Sequence, residues 1–257
     1  FGYSDEEWVA AVTSQLSKLQ HTSNLYYSEP CAKLAELLCT KTGMKKVFFS
    51  NSGAESNEGA IKCARKYSFT KYGENRNKII TLVNSFHGRT VTTLAATGQD
   101  VFHNYFFPFT EGFCFVKAND IEQLKENLTD DVCAVMMELI QGEGGVMPLD
   151  KDYVKKVREI CDEKDIILIV DEVQTGVGRT GKLFAFQNYG IMPDVVTTAK
   201  GIGGGLPLGA CLMGEKVKDT LTPSSHGSTF GGNPVATAGA VNILSPIDEK
   251  LLAEVQR

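Results

Sequence analysis

The sequence predicts an α/β fold, a mostly parallel sheet with helices on both faces, and three observations carry that expectation. Short apolar runs alternate with helix-length amphipathic stretches, the pattern of successive βαβ units. One such stretch places Tyr153, Val154, Val157, Ile160 and Cys161 at helical spacing behind Asp150, a candidate cap, and reads as a crossover helix. Two apolar runs end on a charged residue: Ile166-Ile167-Leu168-Ile169-Val170 on Asp171, and Asp194-Val195-Val196-Thr197-Thr198-Ala199 on Lys200. In open α/β sheets ligands bind outside the carboxyl ends of the strands, so the two groups are expected in one pocket.

In chain order, residues 1–40 read as mainly helical and precede the sheet. The expected strands are Val47–Ser50, Ile79–Val83, Phe113–Val116, Val132–Met137, Ile166–Val170, Val195–Ala199 and Gly209–Met213. No repeat, low-complexity tract or linker interrupts residues 41–257, which are expected to form one domain. The chain opens without an initiator Met and ends in what reads as a helix begun near Asp248, as a fragment would.

At 257 residues and 42% hydrophobic content the chain can bury a core, and a net charge of −5 with interspersed signs leaves no basic stripe for nucleic acid or an anionic membrane. Small-molecule chemistry is the better expectation. No apolar stretch approaches membrane-spanning length, and the first residues have no charged n-region or h-region. The seven cysteines are odd in number, widely spaced and free of C-x-x-C, so they read as core residues of a reducing interior, not as a metal site or disulfide framework.

An Asp and a Lys delivered to one crevice suit one chemistry in particular: a lysine holding pyridoxal phosphate as a Schiff base and a carboxylate keeping the pyridine nitrogen protonated. The alternatives are a structural ion pair at the sheet edge or two unrelated surface charges. After the first strand, Ser52 and Glu55 fit a capping box, while Gly53 and Ala54 at a helix start admit a phosphate close to the backbone. Phe86, His87 and Arg89 follow the second strand, where a ring can stack on a planar cofactor and a guanidinium can clamp a carboxylate. The alternatives are a core Phe, a His satisfied by backbone and a surface Arg. Glu143 lies among glycines after the fourth strand, to gate a substrate group or neutralise an arginine, or merely as a solvated carboxylate. Alternation would send Val173 to the same side as Asp171, against a cofactor ring, and Gln174 could hydrogen-bond a phenolic oxygen. Ser228 and Thr229 put two hydroxyls in a turn before a helix, a second phosphate contact or simple turn chemistry. The glycines after Lys200 match neither a P-loop nor a dinucleotide fingerprint.

Taken together, the segments resemble the class III aminotransferases of the fold type I pyridoxal-phosphate enzymes, nearly end to end. The most specific string is Leu168-Ile169-Val170-Asp171-Glu172-Val173-Gln174-Thr175-Gly176-Val177-Gly178-Arg179-Thr180-Gly181, continuing through Pro193-Asp194 to Lys200-Gly201. His21 to Tyr27 and Phe86-His87-Gly88-Arg89 look most like the acetylornithine branch, whose members serve arginine biosynthesis. The resemblance implies that residues 41–257 are the cofactor-binding large domain, with small-domain parts missing at both ends. It implies pyridoxal 5'-phosphate as cofactor, Lys200 as the covalent anchor and proton shuttle, and Asp171 on the ring nitrogen. Gln174 would meet the phenolic oxygen, Val173 and Phe86 would sandwich the ring, and Ser52, Gly53 and Ala54 would bind phosphate. Thr229, supplied by a partner subunit in a homodimer, would complete the phosphate site. Ser228 would lie near substrate, Arg89 would receive its carboxylate, and Glu143 would act as the switch beside the acceptor carboxylate. Ser56 and Gly59 stand where the family usually has alanine and should weaken their helix by a few tenths to about 1 kcal/mol without touching the chemistry.

The implied activity is transfer of the amino group of N-acetylornithine to 2-oxoglutarate. The rivals are ornithine or 4-aminobutyrate aminotransferase, glutamate-1-semialdehyde aminomutase, and a catalytically inactive scaffold relative. The implied location is a mitochondrion or plastid in a eukaryote and the cytoplasm in a bacterium.

Overall fold

The computed structural model describes residues 2–256; Phe1 and Arg257, the outer limits of the two expected segments, lie outside it. Two helices come first, α1 (Glu6–Leu16) and α2 (Glu29–Thr42). Then follow β1 (Lys46–Ser50), α3 (Gly53–Tyr72), β2 (Lys78–Leu82), α4 (Val91–Ala96), β3 (Phe113–Val116), α5 (Ile121–Asn127) and β4 (Val132–Met137). A hairpin of β5 (Ile140–Gln141) and β6 (Met147–Pro148) leads to α6 (Lys151–Glu163), β7 (Ile167–Asp171), α7 (Phe186–Tyr189), β8 (Val195–Thr198) and β9 (Gly209–Met213). Helices α8 (Pro234–Leu244) and α9 (Glu249–Val255) finish the described chain.

All seven expected strands join one sheet in the order β1-β9-β8-β7-β4-β2-β3. The pairs β8-β7, β7-β4, β4-β2 and β2-β3 are parallel, while β9 runs against both its neighbours. Two reversals cancel, so β1 again points the same way as β8, and the carboxyl ends of β1, β8, β7, β4 and β2 open on one edge. The hairpin was not anticipated: each strand is two residues long, too short for a period-2 signal, and pairs only Ile140 with Pro148 and Gln141 with Met147.

Both faces of the sheet are covered. In β7, Ile167 and Ile169 pack in a cluster with Ala60, Ile61, Cys63 and Ala64 of α3, whereas Leu168 and Val170 pack with Val154, Val157, Ile160 and Cys161 of α6 and with Leu34 and Leu38 of α2. The period-2 alternation of a strand buried on two sides turns a continuous apolar run into two separate cores. Asp150 does precede α6, but its carboxylate makes no capping hydrogen bond to the helix. The seven cysteines are all unpaired, and burial pushes the thiols of Cys63, Cys133 and Cys161 up to about 12, which leaves them un-ionised at neutral pH. Among the described residues, no helix is long and apolar enough to cross a membrane.

Candidate active site at the carboxyl edge of the sheet

A cavity of about 750 Å³ opens at that edge, lined by Ser52, Gly53, Ala54, Phe86, Arg89, Glu143, Asp171, Val173, Gln174 and Lys200. Ten of the twelve residues to which the resemblance gives a catalytic, cofactor or substrate role therefore meet in one place, although they come from five different strand ends. The remaining two, Ser228 and Thr229, do not line it. They border an adjoining groove that shares Asn51 with the cavity, and there Ser228 Oγ accepts from Asn51 Nδ2 at 3.2 Å and from the Gly231 N–H at 3.0 Å.

Helix α3 begins at Gly53 because Ser52 caps it, its Oγ accepting from the Glu55 N–H at 3.2 Å. The reciprocal half of the expected capping box is displaced by one residue: Glu55 Oε2 accepts from the backbone N–H (2.6 Å) and Nδ2 (2.9 Å) of Asn51, not from Ser52. The Ser52 N–H, which Glu55 would otherwise take, and the first-turn N–H groups of Gly53 and Ala54 are without an acceptor among the described residues. They are unpaired donors at the positive end of a 20-residue helix, facing a cavity, which is the chemistry of a phosphate site. Gly53 is required there, since a Cβ would stand 2.6 Å from Val173 Cγ1.

Asp171 is the last residue of β7, only 3% exposed, and its carboxylate is fully engaged from behind. Oδ2 accepts from Asn57 Nδ2 at 2.7 Å and lies 2.8 Å from His87 Nδ1; Oδ1 accepts from the Val173 N–H at 3.0 Å. Asn57 is held in turn by donating to His87 O (2.7 Å) and accepting from Thr197 Oγ1 (2.6 Å). His87 Nε2 is buried with no hydrogen-bond partner among the described residues. The expectation that alternation carries Val173 to the cavity is replaced by a different cause: β7 stops at Asp171, and the following turn delivers Val173.

Lys200 opens a short 3-10 turn, Lys200–Gly203, immediately after β8. Its φ of 47° lies in the left-handed region, a conformation that costs a non-glycine residue about 1–2 kcal/mol and turns the chain sharply off the sheet. Its Nζ donates to Gln174 Oε1, linking the ends of β7 and β8 across the cavity. Phe86 is fixed by its backbone, whose N–H donates to Glu138 Oε2 at 2.9 Å; Glu138 Oε1 takes the Gly142 N–H at 3.3 Å. Burial raises the Glu138 carboxyl to about 7, with Asp171 adding to the shift and His87 opposing it. Arg89 and Glu143 are exposed at the cavity wall.

Asn57, Thr197 and Glu138 carry part of this arrangement and were not singled out in the sequence. For Asn57 a signal existed: it lies four residues after Gly53 and hence on the same face of α3. Thr197 and Glu138 gave none, since a Thr inside a strand and a Glu at its end are ordinary.

Among known proteins, the acetylornithine aminotransferase of Haemophilus ducreyi is 56% identical over all 257 residues of this chain, which spans 65% of that protein's length. The solved N-acetylornithine aminotransferase of Stenotrophomonas maltophilia superposes with a TM-score of 0.83 at 41% identity, over 99% of this chain and 62% of that one. The ornithine aminotransferase of Toxoplasma gondii, described with partial occupancy of PLP at its active site, gives a TM-score of 0.91 at 35% identity, over 99% of this chain and 60% of its own. The chain thus spans less than two thirds of each of these relatives. The family description that matches residues 1–257 is "Aminotransferase class-III", and by that end-to-end match, on a fold of the same kind, the chain belongs to the class III aminotransferases.

Proposed function

We propose that the protein to which this chain belongs is a pyridoxal-phosphate-dependent aminotransferase that moves the amino group of N-acetylornithine to 2-oxoglutarate, working as a homodimer. The observation that carries the reading is the meeting of Lys200, Asp171 and the open N-terminus of α3 in one cavity. The 56% identity to a protein named for that activity supports the choice of donor.

The residues present fit the cofactor: unpaired backbone donors for a phosphate, a buried carboxylate for a protonated ring nitrogen, and a lysine at the wall between them. When bound, pyridoxal phosphate supplies an electron sink for the carbon that loses a proton. The N–H groups of Ser52, Gly53 and Ala54 bind the phosphate, where the helix end favours negative charge. Asp171, held by His87 and Asn57, keeps a proton at the ring nitrogen. Val173 and Phe86 confine the ring, and Gln174 offers its amide to the phenolic oxygen. Lys200 Nζ anchors the cofactor and then moves a proton to and from the substrate carbon. Arg89 receives a substrate carboxylate through its planar fork, and Glu143 stands beside the second carboxylate. A partner copy supplies Thr229 to the phosphate and Ser228 near the substrate, a role supported by their position just outside the chain's own cavity. Because one pocket serves donor and acceptor in turn, ping-pong kinetics are expected.

Two measurements on the full-length protein test the reading. Borohydride reduction of the yellow protein followed by peptide mapping is expected to mark Lys200, and a colourless protein with no marked lysine refutes the enzyme. Steady-state assays with N-acetylornithine, ornithine and 4-aminobutyrate are expected to favour the first, and a preference for unacetylated ornithine sinks the choice of donor.

A further inference from the structure

Arg89 stands alone electrically. Among the described residues it has neither a carboxylate partner nor a hydrogen bond, although it is a long, exposed side chain at the cavity wall. Two phenyl rings flank it instead: its guanidinium carbon lies 5.7 Å from the Phe86 centroid and 4.7 Å from the Phe102 centroid. The rings themselves meet edge to face, centroids 5.6 Å apart at 70°. Both distances fall within the reach of cation–aromatic attraction, and Phe102 is the nearer.

Phe102 does not line the cavity. It ends the 3-10 turn Asp100–Phe102 and belongs to an apolar groove of about 470 Å³, which it shares with Leu94, Val101, Tyr105 and Phe109 and in which Arg89 is the one charged lining residue. Arg89 therefore lines both the cavity and the adjoining apolar groove, with Phe102 on the groove side. A free arginine must be immobilised each time it grips a carboxylate, and that ordering is subtracted from affinity. A guanidinium held against aromatic rings keeps its N–H donors available, because the rings attract its charge without taking up those donors.

We propose that Phe102 is a positioning residue for Arg89, holding the guanidinium ready for the substrate carboxylate and so setting affinity for carboxylate-bearing substrates. The proposal rests on the functional reading for Arg89 but is tested separately from it.

The test uses the full-length protein loaded with pyridoxal phosphate and the variants Phe102→Leu, Phe102→Tyr and Arg89→Ala. Calorimetric titration with N-acetylnorvaline, which keeps the carboxylate and lacks the transferable amine, reads the grip of Arg89 without turnover. Phe102→Leu should weaken that binding about 3- to 30-fold, the span of one partly desolvated cation–aromatic contact. Phe102→Tyr should restore it, and in an Arg89→Ala background Phe102→Leu should add nothing. In assays the KM for N-acetylornithine should rise by the same factor with kcat within about twofold, while N-acetylputrescine, which lacks the carboxylate, should show no change in KM. Wild-type affinity in Phe102→Leu, an equal loss for N-acetylputrescine, or no binding of N-acetylnorvaline to the wild type overturns the proposal. Absence of amino transfer from N-acetylornithine, with titrations as expected, counts against the functional reading alone.

Discussion

At the scale of single residues, the site is organised around one buried carboxylate. Asp171 has three donors behind it, and two of them, His87 Nδ1 and Asn57 Nδ2, share the same oxygen at 2.8 and 2.7 Å. A hydrogen bond to a charged group contributes about 1.5–3 kcal/mol, so removing one should loosen whatever depends on that charge. His87→Phe in the full-length protein is expected to weaken pyridoxal-phosphate binding on the order of tenfold or more, measured by absorbance titration. An unchanged dissociation constant would remove His87 from the site. The sequence placed His87 beside the pocket but left open whether backbone satisfied it, because the partner carboxylate lies 84 positions away and only the fold unites them.

At the scale of elements, helix α3 joins packing to function through its small residues. Ser56, expected only to weaken the helix, is fully buried and links two strand ends: its Oγ lies 2.8 Å from Ser50 Oγ and 3.0 Å from Ser52 O at the end of β1, and 3.3 Å from Thr198 O at the end of β8. Its hydroxyl thus ties the start of α3 to the sheet, which no helix propensity could reveal. Gly59 behaves as expected of a mid-helix glycine, since an added Cβ would find its nearest neighbour, Cys211 Cβ, at an ordinary 3.6 Å. Gly59→Ala should therefore stabilise the protein by about 0.5–1 kcal/mol in denaturant unfolding, and a loss of stability would contradict this reading of the space. Gly53, in the same helix, has no such room beside Val173. Two glycines six residues apart in one helix thus have opposite meanings, and only the neighbouring elements distinguish them.

At the scale of the whole molecule, the two-sided burial of the sheet has a pH consequence. Burial raises the carboxyls of Glu138 and Glu172 from 4.5 to about 7. Glu172 is completely inaccessible, accepting from Thr175 Oγ1 at 2.5 Å and from the N–H groups of Ala185 and Phe186 at 2.9 and 2.8 Å. Between the unfolded and folded values the native state binds more protons than the unfolded chain, so stability falls as pH rises through roughly 4.5 to 7. The slope is at most about 1.4 kcal/mol per pH unit for each group. Denaturation midpoints of the apo protein should decline from pH 5 to pH 8, and Glu172→Gln should flatten the decline. An equal decline in the variant would assign the effect elsewhere.

What the sequence determined by itself was local and periodic: seven strands, the crossover helix, the helix start at Ser52-Gly53, and the residue types that end each strand. Those follow from alternation, spacing and capping, which act over a few residues. Its resemblance to a family added the expected partners of each type. The tertiary structure decided which of those ends share a cavity, that Ser228 and Thr229 stand outside the chain's own pocket, that Glu55 caps Asn51 rather than Ser52, and that Asn57, Thr197 and Glu138 stand behind the site. The physical reason is strand order. With β9 inserted in reverse between β1 and β8, the carboxyl ends of distant segments come to one edge, and the hydrogen bonds from Asn57 and His87 that hold Asp171 exist only across that edge.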